Sequence, residues 1–387
     1  MSETLSAREI MEKLVSFPSV SDVSNLPLIE WVDDYLSGHG ITVHRHYNET
    51  NEKAAVFAHV GPEIEGGIVL SGHTDVVPVE GQPWSSDPFE VVERDGKLYG
   101  RGVCDMKSFD ALAIWALVEA HSAEVQRPLQ IALSYDEEIG CTGAPPLIAA
   151  MDGKVPKASS VIVGEPSMMQ AVTGHKGGTG FEVHVRGFEV HSSIMHTGVN
   201  AIMYGAKLIE WANEMNEENR AKVPSEIDAM FEPPWTTVHV GKIEGGTAHN
   251  ITALDCRFAL TFRVVPGESA EGWANRFREK VAEVEAEMQA VRPEAHIVLE
   301  EMFDVPGLVP EKDGEAEQIV RRLTGDNAPR VVSYGTEAGH FQNGGYSGVV
   351  CGPGNIEQAH QPDEFLTVAQ FEAGEAFMRR LVDMLRG

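Results

Sequence analysis

Carboxylate and imidazole side chains follow four short apolar runs in this 387-residue chain, and their types and spacing could hold metal ions. The runs cover residues 68–70, 129–134, 161–163 and 348–351. The polar residues after them are His73 with Asp75, Asp136 with Glu137 and Glu138, Glu165, and His360 with Asp363. Crowded carboxylates repel one another unless a cation lies among them, and this mixture of His, Asp and Glu suits zinc or similar ions. The pattern predicts a two-metal hydrolytic site, in which the ions can share one carboxylate.

Each of these residues also has an ordinary structural explanation. Taken alone, His73 would be interpreted as a core histidine, residues 136–138 as a solvated acidic turn, and His360 as a surface histidine. Asp75 lies two positions after His73 on the same side of an extended segment, so it can orient the imidazole. The prediction depends on the convergence of these strand ends, because ligands of open α/β sheets bind beyond the carboxyl ends of the strands.

The first half of the chain alternates helical and strand patterns, which is typical of a parallel sheet with helices on its faces. Residues 5–15 and 28–37 carry the apolar stripe of a helix. Residues 106–122 follow Asp105, a further carboxylate, and their stretch 111–118 is apolar on every side. That stretch predicts a helix buried against the sheet.

Near residue 180 the apolar pattern changes to a period of two, which indicates a strand with one wet face. After it come a helix at 201–215, strands at 236–243 and 255–264, a helix at 269–291 and a strand at 296–299. This order is that of the ferredoxin-like split unit. We therefore expect an inserted domain at 180–300 between the two parts of a metal-binding domain, 1–179 and 301–387.

Composition limits the classes of partner. The chain has 30 Lys and Arg against 59 Asp and Glu, a formal net charge of −29, while 42% hydrophobic residues indicate a globular protein. The acidic excess argues against nucleic acid and anionic membranes, which bind basic surfaces. With no signal peptide, no apolar run of membrane-spanning length and four widely spaced cysteines, the sequence predicts a reduced, cytoplasmic protein.

The chain resembles the co-catalytic di-zinc aminoacylase and carboxypeptidase family over nearly its whole length. The resemblance is carried by the His-Thr-Asp-Val-Val-Pro segment at 73–78, by Gly-Arg-Gly at 100–102 leading to Asp105, and by Asp-Glu-Glu at 136–138. It implies an α/β fold, with a di-zinc exopeptidase-like mixed sheet, helices on both faces, and an inserted ferredoxin-like α+β domain as lid and dimerisation element. It also implies that one metal binds His73, Glu165 and Asp105, and the other His360, Glu138 and the shared Asp105.

The resemblance further implies amide hydrolysis. Glu137 is the implied general base, which takes a proton from water and later gives it to the leaving amine. Asp75 would orient the imidazole of His73. His191 matches the histidine of the family that stabilises the oxyanion; in the family it comes from the inserted domain of a partner subunit, which implies a homodimer. The alternative is an ordinary loop histidine.

Three further segments bear on the substrate. Arg257 and Arg263 lie on one face of the predicted strand 255–264, as a carboxylate clamp would require. Arg263 and Asn250 match substrate-carboxylate contacts of the family, although residues 250–253 lack the usual final Pro. Within the family, the segment with Gly335, Thr336 and Glu337 favours members whose substrate carries a free ammonium.

The expected reaction is removal of acetyl from N2-acetyl-L-ornithine to give L-ornithine and acetate, in arginine biosynthesis. The alternatives are a succinyl-diaminopimelate desuccinylase, an aminoacylase of broader range, a dipeptidase, and a non-catalytic metal-binding protein of the same fold. Two zinc ions are the expected cofactors, and cobalt or manganese would accept the same ligands.

Overall fold

The computed structural model describes residues 4–387, which form two compact units. The first unit comprises residues 4–174, 308–331 and 336–387, and the second comprises residues 175–307 and 332–335. The first unit is therefore built from segments that the second unit separates along the chain.

The helices and strands alternate through much of the described chain. The helices are α1 (Ala7–Val15), α2 (Leu26–Gly38), α3 (Lys107–Ser122), α4 (Ala144–Met151), α5 (Ala201–Ala221), α6 (Ala270–Val291), α7 (Glu315–Thr324), α8 (Ala338–Asn343) and α9 (Val368–Leu385). The strands are β1 (Val43–Tyr47), β2 (Ala54–Val60), β3 (Ile68–His73), β4 (Val92–Arg94), β5 (Lys97–Tyr99), β6 (Leu129–Ser134), β7 (Ser160–Pro166), β8 (Gly174–His175), β9 (Gly177–Arg186), β10 (Thr237–Gly245), β11 (Asp255–Val264), β12 (His296–Val305), β13 (Val331–Val332), β14 (Ser347–Gly352) and β15 (Phe365–Thr367).

A six-stranded mixed sheet forms the centre of the first unit, in the order β1-β2-β6-β3-β7-β14. Strands β6, β3, β7 and β14 are parallel to one another, while β1 and β2 are antiparallel at one edge. The predicted mixed α/β fold is confirmed. Because the four parallel strands end at the same edge, the residues that follow them are brought to one side of the sheet.

Helix α3 is the most deeply buried helix of this unit, as its apolar sequence predicts. It packs against β3, α1 and α9, and the stretch 111–118 is buried throughout. Close packing against the sheet depends on Gly164, since a Cβ atom there would lie 1.9 Å from the ring of Phe109. This contact fixes α3 beside the end of β7, next to Glu165.

The second unit has a four-stranded antiparallel sheet in the order β10-β11-β9-β12, with helices α5 and α6 packed on it. Alternate residues of β9 and β11 are buried, and an aromatic cluster joins the sheet to both helices through Phe181, Trp211, Phe262 and Phe277. The order of elements is the predicted ferredoxin-like one. Strand β12 extends to Val305, beyond the predicted 296–299.

Two sequence-based expectations concern the chain as a whole. Among residues 4–387 we find no helix with the length and apolar character needed to cross a bilayer. Cys104, Cys141, Cys256 and Cys351 are all buried and unpaired.

Candidate metal centre

The parallel strands of the first unit deliver acidic and imidazole side chains to one edge of the sheet. His73 is the last residue of β3, and Glu165 is the penultimate residue of β7. Glu137 and Glu138 lie in the turn after β6, and His360 follows β14. Asp105 comes two residues before α3, so the start of that buried helix positions the fifth predicted ligand.

Asp105 lies between the two histidines. Its Oδ1 is 3.1 Å from Nε2 of His73, and its Oδ2 is 3.2 Å from Nε2 of His360. Each carboxylate oxygen therefore faces a different imidazole. This is the arrangement that a carboxylate shared by two ions requires.

The remaining predicted ligands surround this carboxylate. Oε2 of Glu138 is 2.9 Å from Nε2 of His360, and Oε1 of Glu165 is 3.6 Å from Nε2 of His73. Possible ligand atoms lie within 4.8 Å of one another in two groups of residues. One group contains His73, Glu137 and Glu165, and the other contains His73, Asp105 and Glu138. Both groups contain His73 and neither contains His360, whose imidazole contacts Glu138 and Asp105 instead. Imidazole nitrogen and carboxylate oxygen are ligands that zinc prefers, so the five predicted ligands taken together fit a pair of divalent cations.

Asp75 orients both His73 and the acidic turn. Its backbone carbonyl lies 2.9 Å from Nδ1 of His73, whereas its carboxylate lies at 3.5 Å, so the main chain makes the closer contact. The carboxylate accepts hydrogen bonds from the backbone N–H groups of Glu137 (3.2 Å) and Glu138 (3.3 Å) and from the Ser21 hydroxyl (2.7 Å). Asp75 thus links β3 to the turn after β6.

Burial and crowding shift the protonation of the acidic groups. Burial, reinforced by the charges of Glu138 and Asp105, raises the pKa of Glu137 to about 8. Burial and the Asp105 charge raise the pKa of Glu138 to about 7. Hydrogen bonds with Asp105 and Glu138 raise the pKa of His360 to about 10. Protonation or a bound cation relieves the repulsion in such a cluster, so the electrostatics favour cations at this position.

Three side chains at the site were not predicted. The thiol of Cys141 lies 3.2 Å from Oε1 of Glu137, the ammonium of Lys53 pairs with Asp136, and Ser21 donates to Asp75. Cys141 lies four residues after Glu137 in the same turn, a spacing that the sequence shows. Lys53 and Ser21 come from distant segments and carry no motif.

His191 and Asn250 lie side by side in the second unit. The backbone N–H of Ser192 donates to the carbonyl of Asn250 at 2.8 Å, and His191 forms a bridge with Ile251. Both side chains are exposed, and Nδ1 of His191 is 2.8 Å from the Ser193 hydroxyl. The oxyanion and carboxylate roles of these two residues stay predictions.

Arg263 and Arg257 are both exposed on the same face of β11. Arg263 lines an open cleft of about 660 Å³ in the second unit, together with Arg220, Trp235 and His239. Arg220 pairs with Glu217, which lines the same cleft, so Arg263 is the guanidinium there that suits an anionic group.

The segment 335–337 is divided between the units, with Gly335 in the second and Thr336 and Glu337 in the first. Thr336 and Glu337 are buried, and the Glu337 carboxylate accepts hydrogen bonds from the hydroxyls of Ser71 (2.5 Å) and Ser134 (2.7 Å). Burial raises its pKa to about 7. Glu337 therefore lies against the ends of β3 and β6, and its predicted contact with substrate stays a prediction.

Comparison with known proteins agrees with this geometry. Residues 69–384 match the sequence pattern of Peptidase family M20/M25/M40. The chain belongs to this family. It is accordingly an enzyme of the M20 metallopeptidase and amidohydrolase class. It is 34% identical over 388 aligned residues to an acetylornithine deacetylase of Myxococcus xanthus, covering 99% of this chain and 98% of that protein.

Solved M20 structures share the fold. A metallo-carboxypeptidase of the M20 family from Sulfolobus solfataricus superposes with a TM-score of 0.79 at 16% identity, over 100% of both chains. The YXEP protein of Bacillus subtilis, a dinuclear metal-binding M20 peptidase, gives a TM-score of 0.63 at 14% identity, over 98% of this chain and 97% of that one. At these identities the likeness concerns the fold.

Proposed function

We propose that this protein removes the acetyl group from N2-acetyl-L-ornithine, giving L-ornithine and acetate, as a step of arginine biosynthesis in the cytoplasm. The observation that carries the hydrolytic part of the proposal is Asp105, whose two oxygens face His73 and His360 at 3.1 and 3.2 Å. The substrate is supported by the acetylornithine deacetylase of Myxococcus xanthus, which is similar over the full length of the chain.

The proposed cofactors are two divalent metal ions, zinc or alternatively cobalt. His73 and Glu165 would hold one ion, His360 and Glu138 the other, and Asp105 both. Such ions polarise a substrate carbonyl and make water more acidic. The dinuclear relative from Bacillus subtilis supports two ions in this fold.

Glu137 is the proposed proton carrier. Its backbone N–H is held by Asp75 and its carboxylate contacts the Cys141 thiol, so its position is fixed from both sides. In the proposed reaction its carboxylate takes a proton from the attacking water and transfers it to the amine that leaves as the amide C–N bond breaks. Its neighbour Glu138 contacts His360 instead, so the two adjacent carboxylates have different tasks.

A panel of substrates before and after chelation tests the proposal. We expect N2-acetylornithine to be hydrolysed faster than succinyl-diaminopimelate, N-acetylmethionine and a dipeptide at equal enzyme concentration. Activity should disappear on chelation and return on addition of zinc. A higher rate with another member of the panel would assign that substrate instead, and full activity after complete metal removal would contradict the metal centre.

Glu337→Gln should raise the Michaelis constant for N2-acetylornithine, because the proposed role of this carboxylate is to bind the side-chain ammonium. A hydrogen bond between charged groups contributes about 1.5 to 3 kcal/mol, so an increase of roughly tenfold or more is expected. N-acetylmethionine, which lacks the ammonium, is the control substrate. An equal change for both substrates would show that Glu337 acts only through its bonds to Ser71 and Ser134.

Dimerisation through the second unit is also proposed. Strand β10 is an edge of its sheet, and the large apolar side chains of Ile202, Met203 and Ile243 are 39%, 56% and 49% exposed at or near this edge. Ile202 contacts the end of β10, since it lies 3.1 Å from the Cβ position of Gly245. An unpaired strand edge beside apolar side chains suits a second copy of the chain, whose His191 would then complete the partner's site.

Ile243→Glu should convert the dimer into a monomer and lower activity in parallel, because two like charges would meet across the interface. Light scattering after gel filtration gives the mass, and acetylornithine hydrolysis gives the activity. Val298→Glu is the matched control, since Val298 is 39% exposed on β12 at the opposite edge of the sheet. A fully active monomer would contradict the role of His191 in a partner's site.

A further inference from the structure

A buried ion pair outside the ligand set joins Arg101 to Glu364. A guanidinium nitrogen of Arg101 lies 2.6 Å from Oε2 of Glu364, and the two side chains are only 1% and 0% exposed. Removing two charges from water is costly unless further hydrogen bonds compensate both partners. The partners of those hydrogen bonds therefore indicate the role of the ion pair.

Glu364 holds the segment that ends in Asp105. Its Oε1 accepts hydrogen bonds from the backbone N–H groups of Gly102 (3.1 Å), Cys104 (2.8 Å) and Asp105 (3.2 Å). Three N–H groups that converge on one oxygen fix the path of the main chain up to Asp105. The direction of the Asp105 carboxylate, with one oxygen toward each histidine, depends on that path.

Arg101 faces the segment that carries His360. Its second terminal nitrogen donates to the Gln82 side-chain carbonyl at 2.6 Å, and the Gln82 amide donates to the His360 backbone carbonyl at 3.0 Å. Arg101 also reaches the carbonyl of Gln361 at 3.4 Å. The His360 side chain is 49% exposed and its backbone has φ of 63°, in the left-handed region. Packing covers only about half of this imidazole, so its position depends on its contacts with Asp105 and Glu138 and on the main chain that carries it.

We propose that Arg101, Glu364 and Gln82 form a positioning network that couples the Asp105 segment to the His360 segment and so sets the affinity for the metal pair. The inference rests on the proposed function only in taking Asp105 and His360 as ligands. Glu364 bonds directly to the Asp105 segment, whose carboxylate both ions share. Gln82 bonds directly to the His360 segment and reaches the Asp105 segment only through Arg101 and Glu364. The two residues should therefore affect the two ions differently.

Zinc binding to the full-length protein, measured by calorimetry with a competing chelator, tests this. Loss of an outer hydrogen-bond partner typically weakens metal binding about 10- to 100-fold. Glu364→Gln should weaken both zinc sites by roughly that factor. Gln82→Met should weaken one site by about tenfold and leave the other within about twofold.

Glu315→Gln is the matched control. Glu315 pairs with Arg127 at 2.6 Å in the same unit. Its other partners, Ser159 and Ser160, lie at the start of β7, at the opposite end of the strand from Glu165, so zinc affinity should be unchanged. Circular dichroism shows which variants fold. If Glu364→Gln does not fold, the zinc affinities of Gln82→Met test the inference. A Gln82→Met protein with two wild-type sites, or with both sites weakened equally, would overturn the inference. A wild-type protein that fails to bind two zinc ions would contradict the proposed metal centre itself, and this inference with it.

Discussion

Glu137→Gln is expected to lower the rate of acetylornithine hydrolysis by about 100- to 10,000-fold, the usual contribution of a general base. The amide keeps the size and shape of the side chain but cannot take up a proton. At about 1.4 kcal/mol for each tenfold change, the loss corresponds to roughly 3 to 5.5 kcal/mol of transition-state stabilisation. Steady-state kinetics with saturating zinc give the measurement, and the effect should fall on kcat.

Measurement of zinc binding distinguishes a general base at Glu137 from a metal ligand. Glu137→Gln should retain both zinc ions, whereas Glu138→Gln, at the adjacent position beside His360, should lose affinity for the ion on that side. The comparison is sharp because the two residues are neighbours in one turn and differ only in what they face. A zinc-loaded Glu137→Gln protein with wild-type kcat would contradict the assignment of the base.

Asp105→Ala is expected to abolish binding of both zinc ions, because each of its oxygens faces a different histidine. Affinity at both sites should fall by more than the roughly 10- to 100-fold typical of losing an outer hydrogen-bond partner. The stability of the folded protein in the presence of zinc should fall as well. Free zinc at 1,000 times its dissociation constant stabilises a folded protein by about 4 kcal/mol for each site, and the variant should lose this gain.

Thermal unfolding with and without chelator measures the second effect. The wild-type protein should unfold at a lower temperature once chelated, while Asp105→Ala should unfold at the same temperature in both conditions. Asp110→Ala is the matched control, since Asp110 is 1% exposed at the start of α3 and its carboxylate oxygens have no hydrogen-bond partner among the described residues. Retention of one zinc ion by Asp105→Ala would show that the carboxylate is not shared.

Much of the fold was predictable because its elements carry strong local patterns. The stretch 111–118 of helix α3 is apolar on every side and is buried, and β11 begins and ends where its alternation does, at Asp255 and Val264. The antiparallel strands β1, at the edge of the sheet, and β2, beside it, were not predicted. Two histidines and an arginine occupy the middle of β1, and β2 contains three alanines, which are weak strand formers. Their place in the sheet comes from the pairing of β2 with β6 and of β1 with β2, which no local pattern encodes.

The sequence by itself determined which residue types follow each parallel strand, and hence that imidazole and carboxylate groups would meet at one sheet edge. Only the tertiary structure decided how they are held. It directs each oxygen of Asp105 to a different histidine. It also places the backbone carbonyl of Asp75 closer to His73 than the Asp75 carboxylate. It also joins Asp105 to Glu364, 259 residues away. Hydrogen bonds depend on distances of a few tenths of an ångström between segments remote in the chain, and only the packing of the whole unit fixes such distances.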